Sequence, residues 1–143
     1  MPDIAIAQEL DARHRAANAA FEQRDIDAYR ALFSTALAYR QNDGKVIGRD
    51  ALMRNVAQQF RNLTRVTSTF TRLELAQADN GVVEHLIQSG SAQATAFGFV
   101  HRSWVIARVG DYTWTRENGI WVIRQVQVLS ETLSPTGWRI GKR

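Results

Sequence analysis

ENGIWVIRQVQVLSE, residues Glu117–Glu131, decides how the rest of the chain is read. Asn118-Gly119 suits a type I′ turn, in which both central residues need positive φ, so the stretch predicts the second half of a β-hairpin. From Ile120 the residues alternate, but neither side is a plain solvent face. Ile120, Val122, Arg124, Val126 and Val128 share one side, and Trp121, Ile123, Gln125, Gln127 and Leu129 share the other. A strand with one wet face should show apolar and polar residues in strict alternation. Two apolar faces point to two coverings.

If Asn118-Gly119 is a two-residue loop, Glu117 pairs with Ile120, Trp114 with Ile123, Tyr112 with Gln125 and Gly110 with Gln127. One face then collects Trp121, Trp114, Ile123, Tyr112, Gln125 and Gln127. A shift of one residue would put Thr113 and Thr115 there instead. The same exercise at Asn80-Gly81 places Leu73, Leu75, Leu86 and Gln88 on one face, with Phe70, His85 and Ile87 on the other. Segments 65–78, 82–96, 98–116 and 120–132 are rich in the Thr, Val, Ile, Phe and Trp that strands prefer.

Upstream the period changes. Ile6, Leu10, Ala17 and Phe21 recur at three- and four-residue steps, which predicts an amphipathic helix over about 4–23. Asp25 can cap a shorter helix through Ile26, Tyr29, Leu32 and Phe33. A short strand, 37–41, then meets the turn Asn42-Asp43-Gly44. Leu52, Val56, Phe60 and Leu63 mark a third helix with Asp50 near its positive end. Helices first and a long antiparallel meander after them is an α+β pattern, with the helices on one sheet face.

Bulk composition narrows the function classes. At 143 residues, 45% hydrophobic and 22% charged, the chain is most simply one globular domain spanning 1–143, with 134–143 as a tail. No apolar run reaches the roughly 18 residues of a membrane span. The N-terminus lacks the pattern of a secretory signal. The absence of cysteine rules out disulfides and thiolate zinc sites and fits a cytoplasmic protein. The net charge is +4, but the sixteen arginines are scattered and never form a block, which argues against nucleic acid. There is no phosphate-binding or dinucleotide fingerprint.

Three segments, in order, carry a family resemblance. FEQRDIDAYRALFS (Phe21–Ser34) resembles the join between the first two helices of the nuclear transport factor 2-like superfamily. LAYRQNDGKVIGRDALMRNV (Leu37–Val56) resembles its strand–turn–helix segment, and ENGIWVIRQVQVLSETL (Glu117–Leu133) its closing hairpin. The resemblance covers about residues 5–133, and the group includes SnoaL-like polyketide cyclases and ketosteroid isomerases. It implies a cone: three N-terminal helices packed in the concave face of a curved, mainly antiparallel sheet, around an internal pocket. It also implies chemistry without a cofactor, as an isomerase, cyclase or dehydratase acting on a small hydrophobic or aromatic molecule. Three histidines with no paired spacing, and no cysteine, give no recognisable metal-ligand set. Members often form homodimers through the outer sheet face, which would occupy Ile120, Val122, Val126 and Val128. A loop or the C-terminal segment around Trp138 is the rival covering.

Within such a cone, Tyr39, Gln88, Trp104, Tyr112, Trp114, Trp121, Gln125 and Gln127 form the expected ligand-binding set: aromatics for apolar contact and neutral amides for orientation. No carboxylate falls in the pocket-facing set, so a ketosteroid-isomerase arrangement is not expected. Glu74, Glu84, Asp111 and Glu131 would point inward only in other registers. The acid–base candidates are His14, on the apolar face of the first helix, His85 and His101 on long strands, and Tyr39. Each histidine has a plain alternative as a hydrogen-bonded core or surface residue, since a catalytic His needs a partner to fix its tautomer. Three functions stay open: a binding module with a neutral pocket, a His- or carboxylate-dependent enzyme, and a partner-binding domain with a filled cone.

Overall fold

The computed structural model describes residues 4–63, 65–79, 81–96 and 100–140, with side chains for all of these except 95, 96, 100–102 and 135–140. Three helices precede the long strands: α1 (Ile4–Gln23), α2 (Ile26–Arg30) and α3 (Arg49–Asn62). Asp25 caps α2, its Oδ1 accepting from the Ala28 amide at 3.2 Å. Between α2 and α3 lie β1 (Phe33–Arg40) and the short β2 (Val46–Ile47). The remainder is β3 (Arg65–Ala78), β4 (Gly81–Ala96), β5 (Val100–Glu117) and β6 (Ile120–Ile140). They form one curved sheet in the order β2-β1-β6-β5-β4-β3, antiparallel throughout except where β1 runs parallel to β6. The α+β architecture is the expected one. No helix among the described residues is long and apolar enough to cross a membrane.

The core lies between the helices and the concave face, with Leu10, Leu52, Met53, Val56 and Phe60 from the helices against Leu86, Tyr112, Trp114, Ile123 and Val126 from the sheet. Asn118 and Gly119 both have positive φ (55° and 79°), as a type I′ turn requires, and Glu117 opposes Ile120. The segment expected as a tail is strand as far as Ile140, paired with β5 from Val100. Ala78 opposes Gly81, and Gln77 opposes Val82, so Gly81 already belongs to β4 and the expected Asn80-Gly81 loop is displaced by one residue toward the N-terminus. Asn80 itself, the covering expected from the Trp138 side chain, and residues 141–143 lie outside the described residues.

Bulges correct the expected faces. Trp114 opposes Ile123 as expected, but Thr113 opposes Gln125, so Arg124 is an extra residue on β6. Tyr112 therefore faces Val126, and Gly110 faces Val128, in place of Gln125 and Gln127. An inserted residue moves everything after it to the opposite face. Val126 and Val128 thus turn inward, 0% and 5% exposed, and are not available to a partner subunit. Val122 is also buried, which leaves Ile120, 53% exposed, as the open member of the expected partner-facing set. A second bulge at Leu73 leaves that residue exposed and brings Phe70 opposite Gln88, reversing their expected placement.

Candidate active site: a cavity between helices and sheet

The cavity between the helices and the concave face has a volume of about 430 Å³. Even-numbered positions of β4 and β5 make its floor: Gln88, Gly90 and Ala92 on one, and Trp104, Ile106, Arg108, Tyr112 and Trp114 on the other. Gly90 has a local reason, since a Cβ there would lie 2.5 Å from the Thr67 carbonyl oxygen on β3. His14, Ala17 and Phe21 come from α1, Leu52 and Val56 from α3, and Tyr29 and Tyr39 close one side.

At one end, His14 occupies the buried stripe of α1, one turn after Leu10. Its ring stacks on Phe70 with centroids 4.2 Å apart and meets the edge of Trp114 at 5.4 Å. Its Nε2 lies 2.7 Å from Oε1 of Glu84, a β4 residue with no exposure. The same oxygen accepts from the Trp114 indole at 2.9 Å, and Oε2 accepts from Arg72 Nε at 2.8 Å. Arg72 also donates to Asp11 at 2.6 Å. Burial pushes the Glu84 pKa up, but the contacts with His14, and then those with Trp114 and Arg72, outweigh it, and the net shift is downward.

An ionised carboxylate only accepts, so His14 Nε2 carries the proton of this hydrogen bond, and in the neutral imidazole the lone pair is then on Nδ1. Nδ1 makes no hydrogen bond to a described residue. Such an imidazole, with its tautomer fixed by a carboxylate, is equipped to take a proton.

At the other end, Arg108 Nε and Nη2 both reach Oε2 of Glu131, at 2.7 and 2.6 Å. Tyr112 Oη donates to Gln88 Oε1 at 2.6 Å. Burial pushes the Tyr112, Tyr39 and Tyr29 hydroxyls up, Tyr29 to about 12, more than nearby Arg108 draws them down. Burial works against the Arg108 charge, but Tyr39, Tyr112 and Glu131 more than offset it and raise the pKa. All three phenols are therefore neutral donors and the guanidinium is cationic.

Of the residues predicted from sequence, the structure brings together Tyr39, Gln88, Trp104, Tyr112, Trp114 and His14 around the cavity. Trp121 sits outside its lining, where its indole donates to Glu9 at 2.7 Å and Arg116 covers its ring at 4.7 Å. Gln125 is exposed and Gln127 half-buried, and neither lines the cavity, because the Arg124 bulge turned them away. His85 points to the other side of β4 and lies 2.6 Å from Asp111. The His101 side chain lies outside the described residues. The expectation of no inward carboxylate is corrected: Glu84 and Glu131 both turn inward. A signal for Glu84 existed, because it alternates with Leu86 and Gln88, which were already placed inside. Arg108 likewise alternates with Trp104, Tyr112 and Trp114.

The SnoaL-like domain family matches residues 14–122, from the cavity histidine into the final strand. The chain belongs to this family. Solved structures with the same fold include a hexachlorocyclohexane dehydrochlorinase, LinA type 2, at 13% identity and a TM-score of 0.67, covering 91% of this chain and 89% of that one. A protein described as a candidate scytalone dehydratase from Novosphingobium aromaticivorans superposes at a TM-score of 0.76 with 9% identity, over 90% and 87% of the two chains. A candidate aromatic ring hydroxylase from the same organism gives 0.72 at 14% identity, over 95% and 96%. At these identities the likeness is one of fold. No curated protein matches the sequence.

Proposed function

We propose that this SnoaL-like chain is an acid–base enzyme acting on a small, flat, mostly apolar molecule held in the cavity. His14 is the general base. It removes a proton from a carbon beside an electron-withdrawing group, and the product follows by elimination, isomerisation or ring closure. The observation that carries this is the buried His14–Glu84 pair, with Nε2 held by the carboxylate and Nδ1 unengaged at the cavity wall. Apolar walls favour such a step by excluding water from the base, and Glu84 stabilises the imidazolium that forms. The dehydratase and dehydrochlorinase descriptions of fold neighbours are compatible with an elimination.

The reading treats residues 1–143 as one domain of a cytoplasmic homodimer joined through the outer sheet face, where Val105 is exposed. A solution mass near 16.1 kDa at micromolar concentration would remove the dimer.

The test of catalysis is a screen of aryl ketones and β-hydroxy ketones in deuterated buffer, read by deuterium uptake or loss of water. With any compound turned over, His14→Gln should lower the rate by about 10²- to 10⁴-fold, the usual contribution of a general base. A variant that keeps the full rate sinks the assignment.

A further inference from the structure

The far end of the cavity has a chemistry that proton abstraction by His14 does not use. Arg108 spends two of its five donors on a single oxygen of Glu131 and also lies within hydrogen-bond reach of the Tyr112 hydroxyl, which still leaves it donors to spare. Tyr39, 8% exposed, and Tyr29 line the cavity beside it, and neither hydroxyl bonds to a described residue. A cationic guanidinium and two neutral phenols without a described partner, lining the same cavity, leave an excess of hydrogen-bond donors in apolar surroundings. The ligand group that satisfies it is an acceptor with negative charge and more than one oxygen, because planar guanidinium matches a carboxylate in fork geometry.

Glu131 shows how that group would sit. It comes from β6 directly opposite Arg108 on β5, and its side chain is 39% exposed, so it can swing to water at small cost. We infer that Glu131 is an internal stand-in for a ligand carboxylate, and that Arg108, with Tyr39 and Tyr29, makes this cavity specific for an aromatic or arylalkyl carboxylic acid. The inference rests on the reading of the cavity as a small-molecule site, and it does not depend on His14 being a base.

The spacing sets the size of the acid. His14 stacks on Phe70 of β3, Phe70 opposes Gln88 of β4, and Gln88 opposes Arg108 of β5. Two strand spacings, about 10 Å, thus separate the histidine's support from the guanidinium's. One or two fused rings bearing a carboxylate span that gap.

Isothermal titration calorimetry at pH 7 and low salt tests this with 2-naphthoate, benzoate and 3-phenylpropanoate against 2-naphthamide. At least one acid should bind, and 2-naphthoate should bind about 10- to 100-fold tighter than its amide, the usual range for hydrogen bonds to a charged group. Arg108→Met should erase that preference, and Arg108→Lys should keep part of it. Glu131→Gln should tighten acid binding, because the internal competitor loses its charge, and a gain of affinity cannot come from misfolding. An amide that binds as well as the acid, a preference that survives Arg108→Met, or no binding by any of the three acids overturns the inference. An acid preference that persists while His14→Gln leaves turnover unchanged would instead sink the base and keep the acid site. A His14-dependent reaction on neutral substrates alone would do the reverse.

Discussion

Two histidine–carboxylate pairs sit on opposite sides of the same sheet, at almost the same distance. His14 and Glu84 are 2.7 Å apart inside the cavity, and His85 and Asp111 are 2.6 Å apart outside it. Their surroundings differ more than their geometry. The inner side chains are 4% and 0% exposed, and the carboxylate has two further donors, Trp114 and Arg72. The outer side chains are 32% and 40% exposed, so water can satisfy either partner alone. Hydrogen-bond length does not distinguish a buried, fixed dyad from a surface contact. Burial and the number of fixed donors do, because an exposed pair exchanges one set of hydrogen bonds for another at little net gain.

The largest test of this contrast is Arg72→Met. It leaves the Glu84 charge buried without its counter-ion, which should cost about 3–5 kcal/mol in chemical unfolding. A loss under 1 kcal/mol would mean that the inner pair is no more demanding than the outer one. Glu84→Gln should cost less, about 1.5–3 kcal/mol, because Arg72 keeps Asp11 and its access to water while the amide keeps part of its bonding. Asp111→Asn should cost at most about 1 kcal/mol, as exposed pairs do.

Acid sharpens the comparison further. Folding lowers the Glu84 pKa, so the unfolded chain protonates first as pH falls. The stability that the charged carboxylate supplies is complete above its ordinary value of 4.5 and is lost as pH drops through the lower folded value. The stability gap between the native protein and Glu84→Gln should therefore narrow below pH 4.5, and a gap that widens there would contradict an ionised Glu84. The smallest effect is chemical: diethylpyrocarbonate should modify His85 before His14, since only the former ring is open to solvent. Equal rates would mean that the inner histidine is not sealed.

Much of this molecule was legible before its structure. The change from a period of about four to a period of two at Arg65 marked the helix-to-sheet order, and Asn118-Gly119 marked a turn whose positive φ values the structure has. Both are local properties, written within a few residues of one another. Tyr112, Trp114 and Gln88 were placed on an inner face by alternation alone, and they line the cavity. Gln125 and Gln127 were placed there by the same rule and turned out because of one extra residue at Arg124. A bulge depends on how a strand bends to close around the helices, and it leaves no mark in an alternation that is apolar on both sides. The Glu117–Glu131 stretch has two apolar faces partly because its inner face changes phase midway, from Ile123 to Val126 and Val128.

The sequence by itself determined the helix-to-sheet order and the aromatic character of the interior, since both follow from local period and composition, while the family resemblance lay in three ordered segments. Only the tertiary structure decided which carboxylates are inside and what they hold. Glu84 meets His14 across 70 residues of chain, and Arg108 meets Glu131 across 23. Those meetings follow from strand register and from where α1 crosses the sheet, quantities set by packing the whole core at once.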